Sequence, residues 1–187
     1  MLIVGLTGNL GSGKSTIARI FSILKVPVYN ADDVSKSFLT APVVQEKIRV
    51  AFGTGVFLSD KEIDRRSLAK IVFGDARKLV TLNSILHPLV RDDFMKWCIS
   101  NKKQPYVIQE AAIIFESGLK EEYDKIIHVS CPEETAIERV MRRDNSSCEE
   151  VLSRLQFSGI LQKDRLQVHR RSIQAPAPVQ CSSFLML

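Results

Sequence analysis

Leu2-Ile3-Val4-Gly5-Leu6-Thr7-Gly8-Asn9-Leu10-Gly11-Ser12-Gly13-Lys14-Ser15-Thr16 opens with an apolar run, passes through G-x-x-x-x-G-K-[ST], and leads into a helical pattern. In that order, strand, glycine-rich turn and helix, the spacing reads as a phosphate-binding P-loop. Glycines at 8, 11 and 13 permit torsions and close approach that a Cβ forbids, so successive backbone N–H groups can converge on one anion. Lys14 can then reach the outer phosphates, and Ser15 offers a hydroxyl to Mg²⁺. The helix starting there aims its positive dipole end at the same place. A glycine-rich turn that merely precedes a helix is the other reading, and the legible strand and helix on either side weigh against it. Gly8, Asn9, Leu10, Gly11, Ser12, Gly13, Lys14, Ser15 and Thr16 are therefore the expected nucleotide-binding residues. Ile17, Ile20, Phe21 and Leu24 follow at i, i+3, i+4 and i+7, which predicts one helix face packed on a sheet.

Working outward, 187 residues of globular composition suit one compact domain with insertions. No run of eighteen or more apolar residues occurs, and the opening residues are committed to the P-loop rather than to a leader, so a cytoplasmic protein is expected. Cys98, Cys131, Cys148 and Cys181 form no C-x-x-C pair, which argues against a zinc site or redox motif. The net charge is +5, but residues 157–187 hold Lys163, Arg165, Arg170 and Arg171 against Asp164, leaving +2 for the rest. That remainder fits a highly anionic small ligand better than a nucleic acid.

The chain next offers a short strand at Pro27-Val28-Tyr29, ending in Asn30-Ala31-Asp32-Asp33. Amphipathic pieces at Val43–Phe52 and Arg65–Phe73 flank a turn-rich patch, and a long helical pattern runs from Asp75 to Trp97. This block far exceeds the ~2–6 residues of ordinary βα loops and reads as an inserted helical unit. Tyr106–Glu110 and Lys125–Val129 are continuous apolar runs suited to a parallel sheet covered on both faces. Helices are expected at Glu133–Arg143 and Cys148–Leu155. The fold class is thus α/β, a doubly wound parallel sheet with a helical insertion and a small lid, its ligands at the carboxyl ends of the strands. The expected organisation is a nucleotide-binding core at 1–34 and 104–138, an acceptor-binding insertion at 35–103, a lid at 139–156, and an atypical tail at 157–187.

Several residues carry candidate chemistry. Asp32, just after the second strand, can face the γ-phosphate and take a proton from a substrate hydroxyl, or it can cap a helix starting near Val34. Glu110 can orient Mg²⁺ through water, or be satisfied by backbone donors. Arg139 and Arg143 share a helix face and, with Arg142, can close over phosphates, or they can pair at the surface with Glu134, Glu138 or Asp144. His87-Pro88 lies inside the long helix, which Pro88 is expected to end or kink, and Arg91 follows one turn on. Ile113-Ile114-Phe115-Glu116 combines apolar surface with an acid.

Together these residues resemble the dephospho-coenzyme A kinase family. The resemblance runs from Met1 to about Gln156 and rests on Gly5 to Thr16, Asn30-Ala31-Asp32, Ile63-Asp64-Arg65-Arg66, Leu86-His87-Pro88 with Arg91, Ile114-Phe115-Glu116, and Glu138-Arg139 with Arg142-Arg143-Asp144. It implies a P-loop kinase core and ATP-dependent phosphorylation of the ribose 3′-hydroxyl of dephospho-CoA. Asp32 is implied as catalytic base, with Lys14 and Arg139 also catalytic, and Ser15 and Asp32 at Mg²⁺. The P-loop and Arg143 are implied for ATP, and His87, Arg91, Phe115 and Glu116 for the acceptor. The implied partner is this small molecule, with no nucleic acid or membrane, and a monomer or weak homo-oligomer is expected.

Three departures stand out. Asn30 occupies a position where the family has an acid, Ala136 one where it often has glutamine, and the texture changes abruptly after Gln156. The last suggests a shifted reading frame or an altered terminus at 157–187, and either predicts loss of the final strand and an impaired nucleotide-binding product. Other small-molecule kinases, of nucleoside-monophosphate or sugar type, share the same core. A GTPase-like switch is disfavoured, since neither Asn-Lys-x-Asp nor Asp-x-x-Gly occurs.

Overall fold

The computed structural model describes residues 1–112, 114, 119–159 and 173–174. Five parallel strands form the central sheet in the order β2-β5-β1-β6-β7. These are β1 (Leu2–Gly8), β2 (Val28–Asn30), β5 (Tyr106–Glu110), β6 (Lys125–Ser130) and β7 (Ile173–Gln174), while β3 (Phe57–Ser59) and β4 (Glu62–Ile63) make a separate antiparallel hairpin. The helices are α1 (Lys14–Ile23), α2 (Ala31–Phe38), α3 (Pro42–Phe52), α4 (Arg65–Phe73), α5 (Ala76–Ser100), α6 (Glu133–Asp144) and α7 (Cys148–Gly159). This is the doubly wound α/β architecture expected, and among the described residues no helix is long and apolar enough to cross a membrane.

β1 lies at the centre because it pairs on both edges, Leu6 with Glu110 on one side and with Ile127 on the other. Alternation sorts the side chains. Val4, Leu6, Ile108 and Val129 pack with Ala18, Ile17 and Phe21 of α1, whereas Ile3 and Val107 pack with Val90, Phe94 and Cys98 of α5. A third cluster, Leu39, Val44, Ile48, Val56, Ile63, Leu68, Val72 and Leu86, is the core of the insertion. The first half of α5 therefore packs on the insertion and its second half on the sheet, so one helix spans both cores.

Four expectations are corrected. α1 buries Ala18 with Ile17 and Phe21, but Ile20 and Leu24 are exposed, because the sheet under α1 covers a narrower stripe than the apolar pattern spans. Asp32 is not a helix cap: Asn30 caps α2, its Oδ1 accepting from Asp33 N–H at 3.0 Å, so Asp32 belongs to the first helical turn. Of the two outcomes expected at Pro88, an end or a kink, the end is excluded, since α5 runs on to Ser100. The ring removes the bond to the Ser84 carbonyl, a cost of roughly 3 kcal/mol, which burial of Leu86, Val90 and Phe94 on either side offsets. Finally, Ile173 and Gln174 pair in parallel with Val129 and Ser130, so a last strand extends the edge where an altered tail predicts none. Two extended residues suffice for that pairing. Residues 160–172 and 175–187 of that tail lie outside the described residues.

Candidate active site

β1, β2 and β5 all end on the same side of the sheet, and the last residues of β2 and β5, Asn30 and Glu110, meet there. Glu110, 5 % exposed, accepts from Ser15 Oγ at 2.9 Å through Oε1 and from Asn30 Nδ2 at 3.2 Å through Oε2. Lys14 Nζ lies 3.9 Å from Oε1. A carboxylate in strand register with Asn30 and Leu6 thus ties the P-loop to the second strand. Asn30 matters here: its amide donates to Glu110, where an acid would face it with like charge.

The loop has the geometry of an anion cradle. Gly11 and Gly13 take φ of +75° and +95°. A Cβ on Gly11 would stand 2.5 Å from the Ala136 carbonyl oxygen, and one on Gly8 would collide with the Val129 carbonyl. Side chains of Asn30, Asp64 and Asp75 cap α2, α4 and α5, yet α1 has no side-chain cap and no acid in its first turn. Its free N–H groups and positive dipole end are left for a ligand. Ser12 Oγ, in the middle of the loop, is buried without a hydrogen-bond partner. Gly11 O, on the outer side, accepts from Arg139 Nη1 at 3.5 Å and from Cys131 Sγ at 3.7 Å, so α6 grips the loop from behind. Arg143 is elsewhere: its guanidinium pairs with Asp144 at 2.7 and 3.0 Å near the end of α6, which raises its pKa.

On the other side of β5 lies a cavity of about 190 Å³. Strand alternation makes β5 a shared wall, because Gln109 and Ala111 line this cavity while Glu110 between them reaches the P-loop. α2 contributes Asp32 and Ser35, and α5 contributes Asn83, His87 and Arg91 at successive turns. Glu122 and Tyr123 complete the wall. Burial lowers the pKa of His87, favouring the neutral imidazole. Tyr123 donates to Gln109 Oε1 at 2.9 Å, and its hydroxyl is pushed up to about 12, chiefly by burial and then by Glu122.

A buried aromatic group ties β2 to α5. Tyr29, 4 % exposed, packs on Phe94 and Trp97 with ring centres 5.0 and 5.4 Å away. Its hydroxyl donates to Asp93 Oδ2 at 2.8 Å, so β2 is fastened to α5 directly before the turn carrying Asp32.

The residues expected from sequence thus fall into two adjoining groups. Lys14, Ser15 and the glycines gather with Glu110 and Arg139, while Asp32, His87 and Arg91 share the cavity. The carboxylate touching Ser15 is that of Glu110. Phe115 and Glu116 lie outside the described residues. Ser35, Asn83, Gln109, Glu122 and Tyr123 were not singled out from sequence, although helical spacing from Asp32 and His87 points to Ser35 and Asn83. Among the described residues no group of three or more His, Cys, Asp or Glu side chains is arranged for a metal.

A family model described as dephospho-CoA kinase matches residues 2–176, extending past Gln156 where the family motifs run out. Dephospho-CoA kinase from Bacteroides fragilis is 35 % identical over 153 residues, 81 % of this chain and 74 % of that protein. The structure of TT1252 from Thermus thermophilus superposes with a TM-score of 0.81 at 30 % identity, covering 95 % of this chain and 90 % of the other. Dephospho-CoA kinase from Campylobacter jejuni superposes with a TM-score of 0.65 at 28 % identity, covering 95 % and 89 %.

Proposed function

The chain belongs to the dephospho-CoA kinase family, and on that premise we infer that it transfers a phosphoryl group from ATP to dephospho-CoA, giving coenzyme A. The acceptor atom is the ribose 3′-hydroxyl, and Asp32 is the base that takes its proton. The observation carrying this assignment is the shared wall of β5: Glu110 touches the P-loop on one side, and Asp32 lines the cavity on the other. On this reading a sugar seated in that cavity has the acid beside it and turns its hydroxyl toward the phosphates held by the P-loop.

Phosphoryl transfer asks for positioning and charge neutralisation more than covalent chemistry. The backbone of Gly8 to Ser15 and the start of α1 hold the phosphates of ATP, and Thr16 lies at the same helix end. Lys14 leaves Glu110 for the outer phosphates, and the buried Ser12 hydroxyl gains a partner. Arg139, already on the Gly11 carbonyl, stiffens the loop and carries positive charge toward it. Arg143 reaches ATP by releasing Asp144.

The donor chemistry fits Mg²⁺, since a hydroxyl and a carboxylate, Ser15 and Glu110, stand together and both are oxygen ligands. Ser15 would hold the ion directly, with Glu110 orienting its water and Asp32 approaching from the acceptor side. When bound, Mg²⁺ neutralises developing charge on the phosphate oxygens. On the acceptor side, Arg91 offers charge-assisted hydrogen bonds to the substrate's phosphates, and His87 offers a neutral one. Phe115 and Glu116 are assigned to the acceptor on the family pattern alone.

The test is acceptor competition. Purified protein with ATP and Mg²⁺ should form ADP and coenzyme A stoichiometrically from dephospho-CoA, with nucleoside monophosphates and free sugars far poorer acceptors. A preference for one of those would overturn the assignment.

A further inference from the structure

In the cavity Arg91 is paired with an acid, Glu122, to which the reaction chemistry above gives no role. Arg91 Nη2 lies 2.9 Å from Glu122 Oε1, joining α5 to the turn at Leu119–Glu122 across the cavity mouth. The two partners differ in how firmly they are held. Arg91 is a long side chain on a helix, 59 % exposed, and would sample many rotamers alone. Glu122 is shorter, 36 % exposed, and directly precedes two residues tied to the sheet. Tyr123 is bonded to Gln109, and Asp124 brackets Ile3, its N–H donating to Ile3 O at 2.9 Å and its Oδ2 accepting from Ile3 N–H at 2.7 Å. The shorter, less exposed carboxylate is the better-fixed partner and places the longer guanidinium.

We propose that Glu122 is a positioning residue for the acceptor: it holds Arg91 over the cavity so that the remaining guanidinium donors face an incoming phosphate. This rests on the functional reading given above. The contact engages one terminal nitrogen, and a guanidinium has five N–H donors, so ligand and carboxylate can be held together. Ordering Arg91 beforehand removes an entropy cost from substrate binding. The cost of losing Glu122 thus falls on acceptor KM and leaves the chemical step alone.

The experiment is a double-mutant cycle at Glu122 and Arg91, read in steady-state kinetics with dephospho-CoA and ATP. Glu122→Ala should raise the acceptor KM by about two- to fivefold, the range of a partly exposed ion pair, with kcat and the KM for ATP unchanged. Glu122→Gln should fall between wild type and Glu122→Ala. In an Arg91→Ala background, Glu122→Ala should have no further effect. An unchanged or lowered KM in the single variant overturns the proposal, as does an equal rise in both backgrounds. Thermal unfolding of each variant separates misfolding from these outcomes. Wild-type turnover keeps the tests apart: if wild type does not phosphorylate dephospho-CoA, the functional reading fails and this proposal with it. If wild type turns over and the cycle shows no coupling, only the role of Glu122 fails.

Discussion

Replacing Glu110 by alanine should be the most damaging single change at the junction of loop and sheet. The carboxylate is 5 % exposed and has three partners, so its removal acts on each. Lys14, whose side chain is 14 % exposed, loses its counter-charge; stranding one member of a buried pair costs about 3–5 kcal/mol, and the 3.9 Å separation puts this case at the low end. Asn30 loses a bond to a charged acceptor, worth about 1.5–3 kcal/mol in isolation but not additive with the first. Ser15 is exposed and recovers a bond to water, so it adds little. The expected total is about 3–4 kcal/mol for Glu110→Ala. Glu110→Gln keeps the shape and one acceptor oxygen while losing the charge, and should cost about 1–2 kcal/mol. Against a domain stability of about 5–15 kcal/mol these are large fractions. Urea unfolding at neutral pH measures both, with an unchanged slope confirming that the same surface unfolds. A loss below about 1 kcal/mol for the alanine variant, or equal losses for both variants, would refute the hub assigned to Glu110.

Other perturbations probe separate parts. Gly11→Ala forces a Cβ onto φ +75° and to 2.5 Å from the Ala136 carbonyl, so stability should fall by about 1–3 kcal/mol and ATP binding should weaken in titration calorimetry. Leu86→Ala opens a hole in the insertion core and should cost about 2–5 kcal/mol in urea unfolding, with unfolding of the whole chain remaining one transition if α5 couples both cores. His87 has a folded pKa below its ordinary 6.5, so below that value the unfolded chain binds more protons. Its contribution is therefore complete above about pH 6.5 and is lost as pH falls toward the folded value. Comparing thermal stability of wild type and His87→Asn from pH 7.5 to 5 should show a shallower decline in the variant.

Much of this was legible because it is local. The P-loop and the β5 and β6 runs each depend on residues within a few positions of one another. Asp32 was legible as a candidate, but its alternative as a cap fell because Asn30, two residues earlier, already takes that role. Ile20 and Leu24 fit the helical period and are exposed all the same, since periodicity marks a face without saying how much of it a sheet reaches. Pro88 was read by its missing N–H, whereas packing on both sides carries the helix through. Gln109, Glu122 and Tyr123 join Asp32 only through the parallel pairing of β5 and the return of the chain over β1, contacts between residues far apart in sequence. Nothing local signals such a meeting.

Comparison of Asp32→Asn with wild type is the most direct test of the central claim, that this acid takes the acceptor's proton beside the phosphate cradle. Single-turnover phosphorylation of dephospho-CoA, alongside ATP affinity, gives both halves of the answer. The account predicts a rate lowered by about 10²–10⁴-fold with ATP affinity within about twofold of wild type. A rate within about tenfold of wild type, or loss of ATP binding, would contradict it.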